Sequence, residues 1–220
     1  MTYLLLIRHA QSNNNAQPEH LRIPDPGLTD LGQQQALRAA QWLDQRSITH
    51  MYASPFLRAL LTAEPIAKQL KLPVTIRADI FEQGGCYRGH LPGQEIGQPG
   101  MSREEIRVRF PAWLIDEKIG ASGWWSSRPY ETHEQARQRA KLVATWLTQE
   151  ISSQPGCHAI VTHGDFKQLL VGELLSDQRG IRQWGPIHNT SISKFVFKNG
   201  RWTLDWYNSA HHLSPDLITL

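Results

Sequence analysis

Cysteine is scarce in this chain, two in 220 residues. Cys86 and Cys157 form no spacing pattern of a disulfide framework or zinc site, so free thiols and a reducing, cytoplasmic compartment are expected. Long apolar runs are missing too. None approaches the roughly 18 residues of a membrane-spanning helix. The N-terminal apolar run breaks at Arg8 without a basic leader or a small-residue cleavage site, so neither secretion nor membrane insertion is expected. There is also no block of like charge. The 23 Lys/Arg and 20 Asp/Glu residues leave a net charge of +3 and are spread along the chain. That pattern offers no footprint for nucleic acid, yet it is compatible with an anionic substrate. The ten histidines include no His-Glu-x-x-His spacing, and no metal is expected. Gly84-Gly85 lacks a Walker or dinucleotide fingerprint and reads as a turn.

What is present is an alternation of strands and helices. Leu4-Leu5-Leu6-Ile7 is a continuous apolar run that stops at Arg8-His9 and gives way to Asn13-Asn14-Asn15, which reads as a strand covered on both faces and ending in a polar loop. Thr29 caps a helix predicted over 30–46, with Leu31, Ala36, Ala40 and Leu43 as its buried stripe. A strand over 50–53 leads to Ser54-Pro55, read as N-cap and first residue of a helix to about 70 that carries Arg58 in its first turn. A short strand over 74–76 precedes a loop containing Glu82. Residues 90–130 are irregular, with a short helix predicted over 102–110 and with Trp113, Trp124 and Trp125. Thr132 to Gln135 has the form of a capping box for a helix to about 150. A strand over 158–162 ends at His163-Gly164-Asp165, a helix follows over 166–175, and strands over 191–197 and 202–206 flank an Asn199-Gly200 turn.

This order predicts one α/β domain over 1–220: a three-layer α/β/α sandwich with a mainly parallel central sheet and an antiparallel edge. Residues 84–130 are expected to form an inserted cap over the working edge of the sheet. In such sheets ligands bind at the carboxyl ends of the strands. Arg8, His9, Arg58, Glu82 and His163 then converge from distant parts of the chain. Two arginines and two histidines make a compact cationic site suited to a tetrahedral oxyanion, phosphate above all. Arg58 near a helix N-terminus opposes the macrodipole and so calls for an anionic partner.

The ordered set Leu6-Ile7-Arg8-His9-Ala10-Gln11-Ser12 with Asn15, Leu28-Thr29 with Gly32, Ser54-Pro55 with Arg58-Ala59 and Thr62-Ala63, Glu82, and Val161-Thr162-His163-Gly164 resembles the histidine phosphatase superfamily, the phosphoglycerate mutase-like proteins with an Arg-His-Gly signature. Ala10 stands where that signature has Gly. The resemblance covers nearly the whole chain. It implies that His9 is the nucleophile that becomes phosphohistidine, that Arg8, Arg58 and His163 form the phosphate pocket, that Asn15 helps orient the phosphoryl group, and that Glu82 is the proton donor. Asp79, Glu95 and Asp165 are alternative donors.

The chemistry fits those residue types. Arg8 and Arg58 disfavour a second charge on His9 and so lower its pKa, while neutralising phosphoryl oxygens during in-line transfer. His163, if protonated, adds to that charge. The expected activity is hydrolysis of a small soluble phosphate ester without a cofactor. The alternatives are a phosphoglycerate-type mutase, a silent phospho-ligand binding module and a zinc hydrolase. The paired arginines of the family's mutases have no evident match over 90–130, and Arg88, Arg103, Arg107, Arg109 and Arg128 read mostly as solvated. No feature of the sequence fixes the oligomeric state.

Overall fold

The computed structural model describes residues 1–89, 91, 93–175 and 185–220. Chain order runs β1 (Thr2–Arg8), α1 (Asn13–Ala16), α2 (Asp30–Leu43), β2 (Ile48–Ala53), α3 (Leu57–Leu70), β3 (Val74–Ile76), β4 (Tyr87–Arg88), β5 (Ile96–Gly97), α4 (Arg103–Arg109) and β6 (Leu114–Ile115). It continues through α5 (His133–Trp146), β7 (Gly156–Thr162), α6 (Gly164–Leu174), β8 (Ile192–Lys198) and β9 (Arg201–Ser209). Seven strands form the main sheet in the order β6-β3-β2-β7-β1-β8-β9. All neighbours pair in parallel up to β1, and β8 and β9 are antiparallel.

Period-two geometry explains why β1 is apolar from Leu4 to Ile7. Leu5 and Ile7 enter one core with Ala39 and Leu43 of α2 and Ala59 and Ile66 of α3. Leu4 and Leu6 enter the other, with Ala140 and Val143 of α5 and Leu170 of α6. A strand packed on both faces has no position for a polar side chain until it reaches its end. Each of these four residues is at most 3% exposed, and burial of that kind contributes roughly 1.5–3 kcal/mol per side chain. Trp124 and Trp125 are also core residues, and both cysteines are buried free thiols.

Local signals mostly acted where they stand. The Thr29 hydroxyl accepts from Gly32 N at 3.0 Å, although α2 ends at Leu43 rather than at 46. Thr132 forms its capping box, and α5 continues to Ile151 as a wider turn. Asn199 and Gly200 adopt φ of 53° and 75°, the left-handed pair of a type I′ hairpin. One expectation fails. Ser54 and Pro55 do not open α3, whose N-cap is Phe56. The free N–H of Leu57 donates instead to Asp25 Oδ1 at 2.8 Å, and the Ser54 hydroxyl turns toward His163. Within 84–130, β4 and β5 form a small ribbon, whereas β6 joins the main sheet beside β3. No helix among the described residues is long and apolar enough to cross a membrane.

Candidate active site

Parallel pairing of β1 with β7 places Arg8 opposite Thr162, so the residues that follow, His9 and His163, emerge side by side. Their ring centroids lie 5.0 Å apart, edge to face. The His9 main chain is fixed on both sides. Its N–H donates to Thr162 O at 2.8 Å, and its carbonyl accepts from Thr190 N at 3.3 Å and from Asn189 Nδ2 at 3.1 Å.

Two contacts fix the His9 tautomer. Nδ1 lies 2.7 Å from the Ala10 carbonyl oxygen, which can only accept, so Nδ1 carries the hydrogen. Nε2 accepts from Arg58 Nε at 3.2 Å and therefore holds a lone pair. Burial first, then Arg58 and Arg8, hold the His9 pKa well below the ordinary histidine value. The ring is a neutral, oriented nitrogen base set among cations.

His163 is fully buried, with Nε2 2.7 Å from Ser54 Oγ. Burial, followed by Arg58 and His9, pushes its pKa well down. A charged His163 is thus not the resting form of the free protein. The Arg58 guanidinium carbon lies over the Phe56 ring, 3.9 Å from its centroid, and this contact helps hold the fork beside His9. Arg8 donates from Nη1 to the Ile187 carbonyl.

Glu82 sits on the N-terminus of α6. Its Oε1 accepts from Phe166 N and Gln83 N, each at 2.9 Å, and Oε2 accepts from Asp165 N at 3.3 Å. Burial, followed by the Asp165 charge, pushes its pKa up to about 7. Asn15 Oδ1 accepts from Ser12 N at 3.0 Å and Ser12 Oγ at 2.9 Å, which commits the amide oxygen to the loop and leaves the NH2 group for the cavity.

These side chains line a cavity of about 410 Å³ together with Asp165, Arg22, Tyr87 and Tyr130. His163 stands behind His9 rather than on the wall. Of the alternative acids, Asp165 is on the wall, whereas Asp79 is paired with Arg77 at 2.6 Å and neither it nor Glu95 reaches the cavity. Arg103 is spent on the carbonyls of Ile115, Asp116 and Ile119, and Arg128 donates to Trp125 O. Sequence reasoning missed Arg22, Tyr87 and Tyr130; the only cue to Arg22 was its place in a proline-bounded loop. Asp25 was missed too. Burial raises its pKa to about 7 while it anchors α3 behind Arg58. A larger cavity of about 930 Å³ lies elsewhere, between Trp42, Trp206 and the C-terminal segment. Cys157 lines it beside Arg46 and Lys194, but burial pushes that thiol's pKa up to about 11, so it presents no thiolate near neutral pH. Among the described residues no three His, Cys, Asp or Glu side chains gather as a metal site.

The model of the histidine phosphatase superfamily (branch 1) matches residues 4–210. Phosphoglycerate mutase-like protein 4 of Arabidopsis thaliana is 27% identical over 213 residues, 96% of this chain and 86% of that protein. The glucosyl-3-phosphoglycerate phosphatase of Mycolicibacterium vanbaalenii is 26% identical, covering 98% of each chain. Among solved structures, a mutant phosphoserine phosphatase from Entamoeba histolytica in complex with phosphoserine superposes with a TM-score of 0.67, over 97% of this chain and 100% of that one. At 24% identity, that likeness is one of fold.

Proposed function

This chain belongs to the histidine phosphatase superfamily, and we propose that within it the protein is a phosphomonoesterase working through phosphohistidine on His9. The observation that carries this reading is the His9 Nε2 lone pair, held by Arg58 in a cavity that Glu82 also lines, its pKa pushed up to about 7. A nucleophile kept unprotonated and an acid kept protonated are what ester cleavage needs near neutrality.

In the first step the Nε2 lone pair forms a bond to phosphorus as the phosphorus–oxygen ester bond breaks, and the Glu82 proton goes to the leaving alkoxide. In the second step Glu82 takes a proton from water, whose oxygen bonds to phosphorus as the phosphorus–nitrogen bond breaks. Phosphate leaves and both side chains return to their starting states. Arg8, Arg58 and the Asn15 amide hold the phosphoryl oxygens throughout, where positioning and charge dominate catalysis. His163 shares the charge that develops at phosphorus once the dianion offsets the surrounding arginines. Residues 84–130 act as a cap, contributing Gly85, Tyr87 and Tyr130 to the wall. The cavity volume suits a small soluble ester, and the two buried thiols suit a reducing cytoplasm. The mutase reading is weaker, because Arg103 and Arg128 are committed to main-chain carbonyls and, among the described residues, Arg22 is the one arginine on the cavity wall besides Arg8 and Arg58.

The test is hydrolysis of a chromogenic phosphate monoester with and without chelator, for the intact protein and His9→Ala. Chelator-resistant turnover lost on substitution, with acid-labile phosphate trapped only on the intact protein, is the expected result. Faster phosphoglycerate isomerisation than phosphate release would favour a mutase, and binding without turnover a silent module.

A further inference from the structure

Lys167 is fully buried and belongs to no step above. It lies in the first turn of α6, an 11-residue helix, where the macrodipole opposes a cation. Its Nζ donates to Ser191 O at 2.9 Å and reaches Ser191 Oγ at 3.4 Å. Both partners are neutral. The same Ser191 carbonyl accepts from the Arg8 main-chain N–H at 3.1 Å, so the lysine stands directly behind the arginine of the anion pocket. The ionisable neighbour acting on it is Arg8, which repels it. Among the described residues no carboxylate pairs with it; a buried cation without a counter-ion is costly, and here three unfavourable influences coincide.

We propose that the counter-ion of Lys167 is the phosphoryl group in the neighbouring pocket, making Lys167 a positioning residue whose charge reaches the ligand through Arg8 and the Ser191 carbonyl. This rests on the reading of the cavity as a phosphate site. Burial, then Arg8, hold the lysine pKa well below its ordinary value, so the ammonium is disfavoured until an anion enters the pocket. A phosphate dianion there favours the ammonium, and any proton that Nζ takes up on binding comes from solvent. The Ser191 contacts serve both states without rearrangement, which a purely structural lysine does not require.

The test is calorimetric titration of inorganic phosphate into the intact protein, Lys167→Met and Lys167→Gln, in paired buffers of different ionisation enthalpy. At pH about 9, above the ordinary range of carboxyls and histidines, the intact protein is expected to take up protons on binding. Both variants should take up fewer and bind phosphate at least about tenfold more weakly, one charge interaction across a partly screened interior. Gln keeps an N–H for the Ser191 carbonyl, so affinity restored by Gln but not Met would show a merely structural role and overturn the inference. Unchanged binding in either folded variant overturns it also. Zero proton uptake by the intact protein does so without any variant. Failure of the intact protein to bind phosphate at all removes the phosphate-site reading, a separate and recognisable outcome.

Discussion

At the scale of single residues, Glu82 is where opposing effects meet. Three main-chain N–H groups and a helix N-terminus favour its anion, yet burial and Asp165 win and leave its pKa at about 7. The sign of the pH dependence follows. Below about pH 7 the carboxyl is protonated and can serve as general acid; as pH rises through that value the acid is lost. His9, with its pKa lowered, stays neutral over the same interval and sets no limb there. The kcat/KM profile is therefore expected to fall above about pH 7. Glu82→Gln should lower kcat about 10²–10⁴-fold and flatten that limb, and an unchanged limb in this variant would transfer the donor role to Asp165. Arg8, His9 and His163 were legible because a run buried on both faces has to end where polar side chains begin. Lys167 and Asp25 were not. Burial of a charged residue is decided by what packs over it, and no periodicity encodes that.

Elements were legible where capping chemistry is local and less so where a partner arrives from afar. Thr29 and Thr132 capped as their sequences say, whereas α3 takes its cap from Asp25, over thirty positions upstream, which frees Ser54 for His163. The two residues of β6 are too short a signal to read inside an irregular stretch. Gly32 illustrates the same logic between elements. A Cβ there would stand 2.0 Å from Gln11 O and 3.0 Å from Gln11 C, so α2 touches the loop that follows His9 through a bare backbone. Ala10 needs no such exemption, since it is absent from the left-handed region and its N–H donates to Thr62 Oγ1 at 3.0 Å. Gly32→Ala is expected to cost about 1–3 kcal/mol, as overpacking does, and to lower kcat/KM by moving the His9 loop. Gly27→Ala, whose Cβ would meet Leu61 at an ordinary 3.7 Å, is the control. Urea melts of both variants measure the first effect, and equal stabilities would contradict the close-approach argument.

Across the whole molecule, the sheet gathers cations at one edge faster than it supplies anions. Parallel register brings β1 and β7 to the same level, α3 adds Arg58, and Arg8, Arg22 and Arg58 stand around a cavity that they share with Asp165 and with Glu82, whose pKa is raised. Such an arrangement stores unfavourable charge in the folded state, and an anion that enters the cavity relieves it. By linkage, a ligand bound only by the native state at about 100 times its Kd stabilises it by about 2.7 kcal/mol. For a chain of this size each kcal/mol moves Tm by roughly 2–4 °C, so saturating inorganic phosphate should raise Tm by about 5–10 °C. Arg58→Ala removes a phosphate ligand and should lose most of that shift, whereas Glu82→Gln, which leaves the cations in place, should keep it. Matching shifts from chloride at equal ionic strength would mean that screening alone is at work and that the cavity has no preference for phosphate.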